Sequence, residues 1–255
     1  MSRKPSAFSR PARKPKPPEK PLTKLPENGL LYLDNHLLVF AKPAGLLTQG
    51  DATGDPDALS LAKDFIKERF QKPGAVFLGL VHRLDRPVSG VLVFARTSKA
   101  ASRLGKQFRA RSVTKRYLAV VEGKPAASET CVDYLWKDHR KVRVVKEGHP
   151  KGQRAELAWE MVYQQGNRSL LAIRLKTGRP HQIRVQLAHR GHPIIGDFRY
   201  GSSIQHDGRN LLLHSYLLEV DHPTREERMA WTAHPPSEWG DVWVDAAKRW
   251  IASAI

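Results

Sequence analysis

From Leu30 onward, turn-forming residues cut the chain into short β-type runs, and this punctuation limits it to folds built on a sheet. An apolar run over 37–41 ends at the turn Lys42-Pro43-Ala44-Gly45, "GVLVFA" at 90–95 reads as a buried strand, and "RYLAVVEG" at 116–123 reads as a strand closed by Gly123. Two hairpins are predicted: 131–146 about "KDHRK", and 155–176 about "QQGNR", with period-2 alternation in "LLAIRLK". A further strand covers 211–220. Helical spacing is rarer. Ser98 is placed as the N-cap of a helix carrying Ala101, Leu104 and Phe108; a second helix runs from Pro180 to just before Gly191, and a third surrounds "DAAKRWIASA". Strands following one another with few helices between them predict an α+β fold, a single domain with a mixed, mainly antiparallel β-sheet flanked by helices.

The sheet-forming pattern does not extend to the N-terminus. The first 24 residues hold eight Lys/Arg, one Glu and six Pro, a net charge of +7 with too little apolar surface to offset ordering entropy. Residues 1–28 are therefore expected to be a disordered, basic, Pro-rich arm and 29–255 the folded domain. The full chain carries +18, which leaves +11 on residues 25–255, so the domain is basic in its own right. Such an excess favours a polyanion, with nucleic acid the first choice. No apolar run reaches the roughly 18 residues of a membrane span. The single cysteine, Cys131, cannot form an internal disulfide, and no Cys/His cluster has zinc-finger spacing, so a reducing, cytoplasmic compartment is the expectation.

Three stretches carry groups suited to chemistry. In "LVHRLDRPVSGV" (80–91), Asp85 stands between Arg83 and Arg86 in an otherwise apolar run, either as a structural ion pair or as a carboxylate kept ionised for reaction. In "KRYLAVVEG", Tyr117 is either a core ring or a platform for an unstacked base. In "LKTGRPHQIRVQLAHRGHPIIGDFRYG" (175–201), Arg179, His181, Gln182 and Arg184 crowd one helix start, where phosphate or carboxylate contacts are natural.

Together these stretches resemble the motifs of the RluA-type pseudouridine synthases. The opening "ENGLLYLDNHLLVFAKPAGLLT" and the later "LLLHSYLLEVDHPTREE" are also similar to that family, so the resemblance runs from about Gly29 to about Trp239. It implies a catalytic domain with an active-site cleft, in which the nucleophilic aspartate falls on Asp85, the active-site tyrosine on Tyr117 and the basic partner of the aspartate on Arg184. It places the base-flipping arginine on Arg83 and an apolar contact to the base on Leu212 or a neighbour; His82, Arg179, His181 and Gln182 are the remaining expected substrate contacts. Two features depart from the commonest pattern. Arg86-Pro87-Val88 precede Ser89-Gly90 where a threonine is usual, and the arm stands where many members carry an S4-type RNA-binding domain, so RNA targeting is expected from the domain and the arm.

Isomerising uridine to pseudouridine breaks the N1–C1′ bond, rotates the base and rejoins it through C5 without a cofactor. A carboxylate can serve by attacking C1′ or by removing the C2′ proton, and both routes start from the ionised form, which a nearby guanidinium favours. The expectation is a monomer acting on rRNA or tRNA and not associated with membrane. Two other readings stand beside it: a noncatalytic RNA-binding protein of the same fold, and a metal-dependent nuclease built on His181, His189, His192 and Asp197.

Overall fold

The computed structural model describes residues 22–139 and 141–254; most of the basic arm therefore lies outside the described residues. In chain order the elements are β1 (Leu30–Leu33), β2 (Leu37–Lys42), α1 (Ala58–Arg69), β3 (Gly79–Leu80), β4 (Ser89–Ala95), α2 (Ser98–Ala110), β5 (Thr114–Glu122) and β6 (Ser128–Asp138). They continue as β7 (Lys141–Val145), β8 (Gln153–Gln165), β9 (Arg168–Leu175), α3 (Gln182–His189), β10 (Leu213–Asp221), β11 (Arg228–Thr232) and α4 (Asp241–Ala254). All the strands join one sheet in the order β1-β2-β4-β10-β5-β9-β8-β6-β7, with β11 added to β10 and β3 to β4. Every named pairing is antiparallel except β4 with β10, so the expected mixed, mainly antiparallel α+β domain is what forms.

Period-2 alternation assigns the faces. On β5, Tyr117, Ala119 and Val121 face one way, packing with Leu171 and Ile173 of β9, Leu61, Ala62 and Ile66 of α1, and Ile183 and Leu187 of α3. Leu118 and Val120 face the other way, under Trp243, Val244, Ala247 and Ile251 of α4. Helix α2 covers a neighbouring patch of Val39, Val91 and Val93 through Ala100 and Leu104. The core also reaches into the expected arm: Leu25 is buried in the cluster beneath α1, and a 3-10 turn spans Glu27–Gly29.

Element boundaries shift where a cap decides them. Thr97, not Ser98, caps α2, its side-chain oxygen accepting the Ala100 N–H at 3.1 Å. Helix α3 starts at Gln182 and not at Pro180, because His181 precedes it in the left-handed conformation, φ 51°. Helix α1 has no counterpart among the sequence expectations. Asp57 caps it by accepting from Ser60 N–H at 3.0 Å, and its buried Leu61, Ala62 and Ile66 are diluted by charged neighbours.

The parallel β4–β10 contact depends on one glycine. Gly90 pairs with Ser215 at φ +122°, and a Cβ on it would lie 2.2 Å from the Ser215 carbonyl oxygen. Gly90→Ala is expected to cost roughly 3 kcal/mol or more, about 10 °C in thermal midpoint. A melting curve within 2–3 °C of wild type, on the order of 1 kcal/mol, would contradict that close approach.

Candidate active site

Asp85 occupies the short turn between β3 and β4, and its carbonyl accepts the Val88 N–H at 3.0 Å. The turn is laced to the segment after β2. Thr48 Oγ1 donates to Leu84 O at 2.6 Å and accepts from Leu84 N–H at 3.2 Å, while Gly45 N–H donates to Arg86 O at 2.8 Å. Lys42, 1% exposed, donates from Nζ to the carbonyls of Pro43 (2.9 Å), Leu46 (2.7 Å) and Arg86 (3.3 Å). Burial pushes its ammonium down to about 7, against the opposing pull of the Asp85 charge. Lys42 thus extends β2 and bolts the Asp85 turn in place, where the sequence suggested only the first residue of a turn.

The arginines flanking Asp85 in sequence do not pair with it. Arg86 turns to Asp55 at 2.7 Å and donates from Nε to Gly45 O at 3.0 Å, so the Arg86-Pro87-Val88 segment belongs to the scaffold of the turn. Asp85 instead meets Arg184 of α3, whose Nη1 donates to Asp85 Oδ2 at 3.1 Å. Arg184 is 6% exposed, and its other edge forks onto Asp197, Nε to Oδ2 at 2.7 Å and Nη2 to Oδ1 at 2.8 Å. Burial works against the guanidinium, but Asp197 and then Asp85 outweigh it and raise the Arg184 pKa, so it stays a cation.

A second group faces the same carboxylate. Val142 N–H donates to the Tyr200 hydroxyl oxygen at 3.2 Å, which leaves the hydroxyl hydrogen for His181 Nδ1 at 2.7 Å. In the neutral ring the remaining hydrogen is then on Nε2, 3.7 Å from Asp85 Oδ2. Burial holds the His181 pKa below its ordinary value, with Asp85 opposing. The face of Tyr200 also lies 5.1 Å from the Arg184 guanidinium carbon, so one ring supports both groups that approach Asp85.

Asp85, His181 and Arg184 line a cleft of ≈ 1000 Å³ together with Tyr117, Leu213 and Arg83. Tyr117 is 8% exposed, and burial pushes its hydroxyl up to about 12, so it enters the cleft as a neutral ring and not as a phenolate base. Arg83 is exposed and has no ion pair among the described residues. Arg179 lines the same cleft and donates from Nε to Arg154 O at 3.1 Å.

Three expected substrate contacts also carry structural roles, and two of them, His82 and Gln182, line the cleft. His82 stacks on Phe108 at 4.9 Å and accepts the Val93 N–H on Nε2 at 3.1 Å; burial pushes its pKa down to about 3, which fixes it as a neutral wall residue. Gln182 is buried, its Oε1 accepting from Thr177 Oγ1 (2.7 Å) and Arg179 N–H (3.0 Å) and its Nε2 donating to Glu156 O (3.1 Å), so it braces the loop before α3. Leu212 packs on the opposite face of the sheet with Trp239 and Trp243, and its neighbour Leu213 reaches the cleft.

The groups of the nuclease reading do not converge. His189 is exposed, His192 donates from Nδ1 to Glu122 O at 3.0 Å, and Asp197 is committed to Arg184. Among the described residues no three His, Cys, Asp or Glu side chains gather in a way that could hold a metal ion. Lys42, Asp197 and Tyr200 complete the site without having been singled out for it. The last two lie in "GHPIIGDFRYG", whose run of turn-forming residues is the signal for Tyr200, while Asp197 stands out in the sequence only as a group of the nuclease reading.

A family model described as RNA pseudouridylate synthase matches residues 36–189. The dual-specificity RNA pseudouridine synthase RluA of Escherichia coli (strain K12) is 37% identical over 212 residues, covering 80% of this chain and 91% of that protein. Ribosomal large subunit pseudouridine synthase C of Buchnera aphidicola subsp. Schizaphis graminum (strain Sg) is 38% identical over 215 residues, 79% of this chain, which spans 65% of that relative's length. Among solved structures, the human RNA pseudouridylate synthase domain containing 4 shares the fold with a TM-score of 0.71 at 22% identity, covering 87% of this chain and 92% of that one.

Proposed function

The chain belongs to the RNA pseudouridylate synthase family, and from that premise we propose that it isomerises specific uridines of rRNA or tRNA to pseudouridine, with Asp85 as the reacting carboxylate. The observation that carries this reading is the Asp85–Arg184 contact at 3.1 Å, beside Tyr117 in a basic cleft. A carboxylate that served only to balance charge would be redundant here, since Asp197 already neutralises Arg184 through two hydrogen bonds.

The target uridine leaves its stack at a cost of a few kcal/mol, and Arg83, free at the cleft mouth two residues before Asp85, fills the vacated space. The uracil settles against the Tyr117 ring. Asp85 acts at the ribose, either forming an ester at C1′ that C5 later displaces or taking the C2′ proton and later returning it. The N1–C1′ bond breaks with its electron pair on uracil, the base rotates, C5 bonds to C1′, and the proton lost from C5 is balanced by the one N1 gains. Leu84, Val88, Ile183 and Leu213 supply apolar surface around the carboxylate. That keeps water from C1′, where hydrolysis would leave an abasic site.

The test is release of tritium from [5-³H]uridine-labelled cellular RNA by the purified chain, with and without EDTA. Release that survives EDTA is the expected result; no release from any cellular RNA would leave the noncatalytic reading in place. A second prediction concerns Tyr200. Removing its hydroxyl in Tyr200→Phe frees the His181 tautomer at a cost of about 1 kcal/mol and is expected to lower kcat on the order of tenfold. The thermal midpoint should move by only a few degrees, about 2–4 °C per kcal/mol, and an unchanged kcat would remove Tyr200 and His181 from the chemistry.

A further inference from the structure

Beyond Asp85 and its partners, several cations of the cleft wall form no ion pair among the described residues, and three of them, Arg111, Lys115 and Arg179, lie close enough to act on one another. Arg111 ends α2 in the left-handed conformation, φ 59°, an uncommon backbone for a residue with a side chain. Lys115 lies on β5 two residues before Tyr117, and Arg179 stands two residues before His181 in the loop leading to α3. All three line the Asp85 cleft. The Arg179 loop passes close to the lysine at Gly178, where a Cβ would come within 3.2 Å of Lys115 Nζ.

The nearby carboxylates are engaged elsewhere. Glu156 pairs with Arg154 and Lys176, Asp55 with Arg86, and Asp85 and Asp197 with Arg184. Among the described residues none of the three cations forms an ion pair. They also repel one another: burial first and the Arg111 charge second pull down both the Lys115 ammonium and the Arg179 guanidinium. Partly desolvated like charges weaken a fold, and they are compensated only when a ligand brings the opposite sign. In a cleft that leads to a nucleotide-modifying carboxylate, the anion within reach is the nucleotide's own backbone. The strand separation fits that scale, because two residues of β5 put Lys115 about 7 Å from Tyr117.

We propose that Arg111, Lys115 and Arg179 form a phosphodiester-binding site that seats the RNA backbone beside the nucleotide whose base enters between Tyr117 and Asp85. The proposal rests on the RNA reading above but not on catalysis, and its test is arranged accordingly. Binding of total cellular RNA to the full chain is measured by filter retention over roughly 50 to 200 mM salt, in an Asp85→Asn background. Lys115→Met and Arg179→Gln are compared there with Lys248→Met, which alters an exposed lysine of α4 on the opposite face of the sheet.

Each cleft variant is expected to weaken binding about 5- to 20-fold and to lower the slope of log affinity against log salt by about 0.7–0.9, one phosphate contact. Lys248→Met should change neither. The RNA-free Lys115→Met protein should melt at the wild-type temperature or above it, since a repelled charge has been removed. Unchanged affinity and slope would overturn the site. So would equal loss in Lys248→Met, which means diffuse charge, or a lowered melting temperature in Lys115→Met, which means a structural lysine. If wild-type protein releases no tritium yet the cleft variants lose affinity, the isomerase reading falls and the phosphodiester site stands.

Discussion

Asp85→Asn is expected to reduce tritium release from [5-³H]uridine-labelled RNA by a factor on the order of 10³ or more while leaving the fold and RNA binding close to wild type. The asparagine is isosteric and its carbonyl oxygen can still accept from Arg184, now 3.1 Å from Asp85 Oδ2. Arg184 is not orphaned by the change, because both Asp197 oxygens remain hydrogen-bonded to it at 2.7 and 2.8 Å. Asp85 is itself one-third exposed, with 34% of its side-chain surface accessible, so little desolvation energy is at stake. A structural ion pair predicts the opposite pattern, a lower melting temperature with activity retained. Activity within tenfold of wild type, about 1.4 kcal/mol, would sink the role assigned to this carboxylate.

The contrast between those two patterns also separates what is legible in the sequence from what is not. Local pairings are readable: the β6–β7 and β8–β9 hairpins lie where turn residues and alternation place them. The β4–β10 contact joins residues whose side chains, Ser89 and His214, are 125 positions apart, and nothing in either segment names the other. The Asp85–Arg184 contact spans 99 positions and became an expectation only through resemblance; from the residues alone, the adjacent Arg83 and Arg86 were the natural partners. Leu212 shows how narrow the margin is, since one step along an extended segment moves a side chain from the cleft to the α4 face. Lys42 hid for a different reason. A lysine before Pro-Ala-Gly reads as a solvated turn, and only the loops folded around its ammonium make it a buried fastener.

Arg184→Met is expected to damage both stability and activity, and a second substitution separates the two effects. Removing the guanidinium leaves Asp197, 2% exposed, as a buried carboxylate without its fork, which costs about 3–5 kcal/mol. For a chain of this size that lowers the thermal midpoint by roughly 6–20 °C. Asp85 simultaneously loses its hydrogen-bonding cation, 3.1 Å from its Oδ2. Adding Asp197→Asn removes the orphaned charge, so the double variant should melt well above Arg184→Met alone. Its tritium release should remain as low as that of the single variant, because nothing has been returned to Asp85. Arg184→Lys tests the geometry within the same charge: a lysine is a point cation with no fork, so it cannot hold Asp197 at two oxygens and reach Asp85 from the same group. It should melt between wild type and Arg184→Met and lose on the order of 10² in kcat, about 2.7 kcal/mol. Recovery of activity in the double variant would mean that Arg184 serves only to neutralise Asp197, and the guanidinium would then have no part in preparing the carboxylate that reacts.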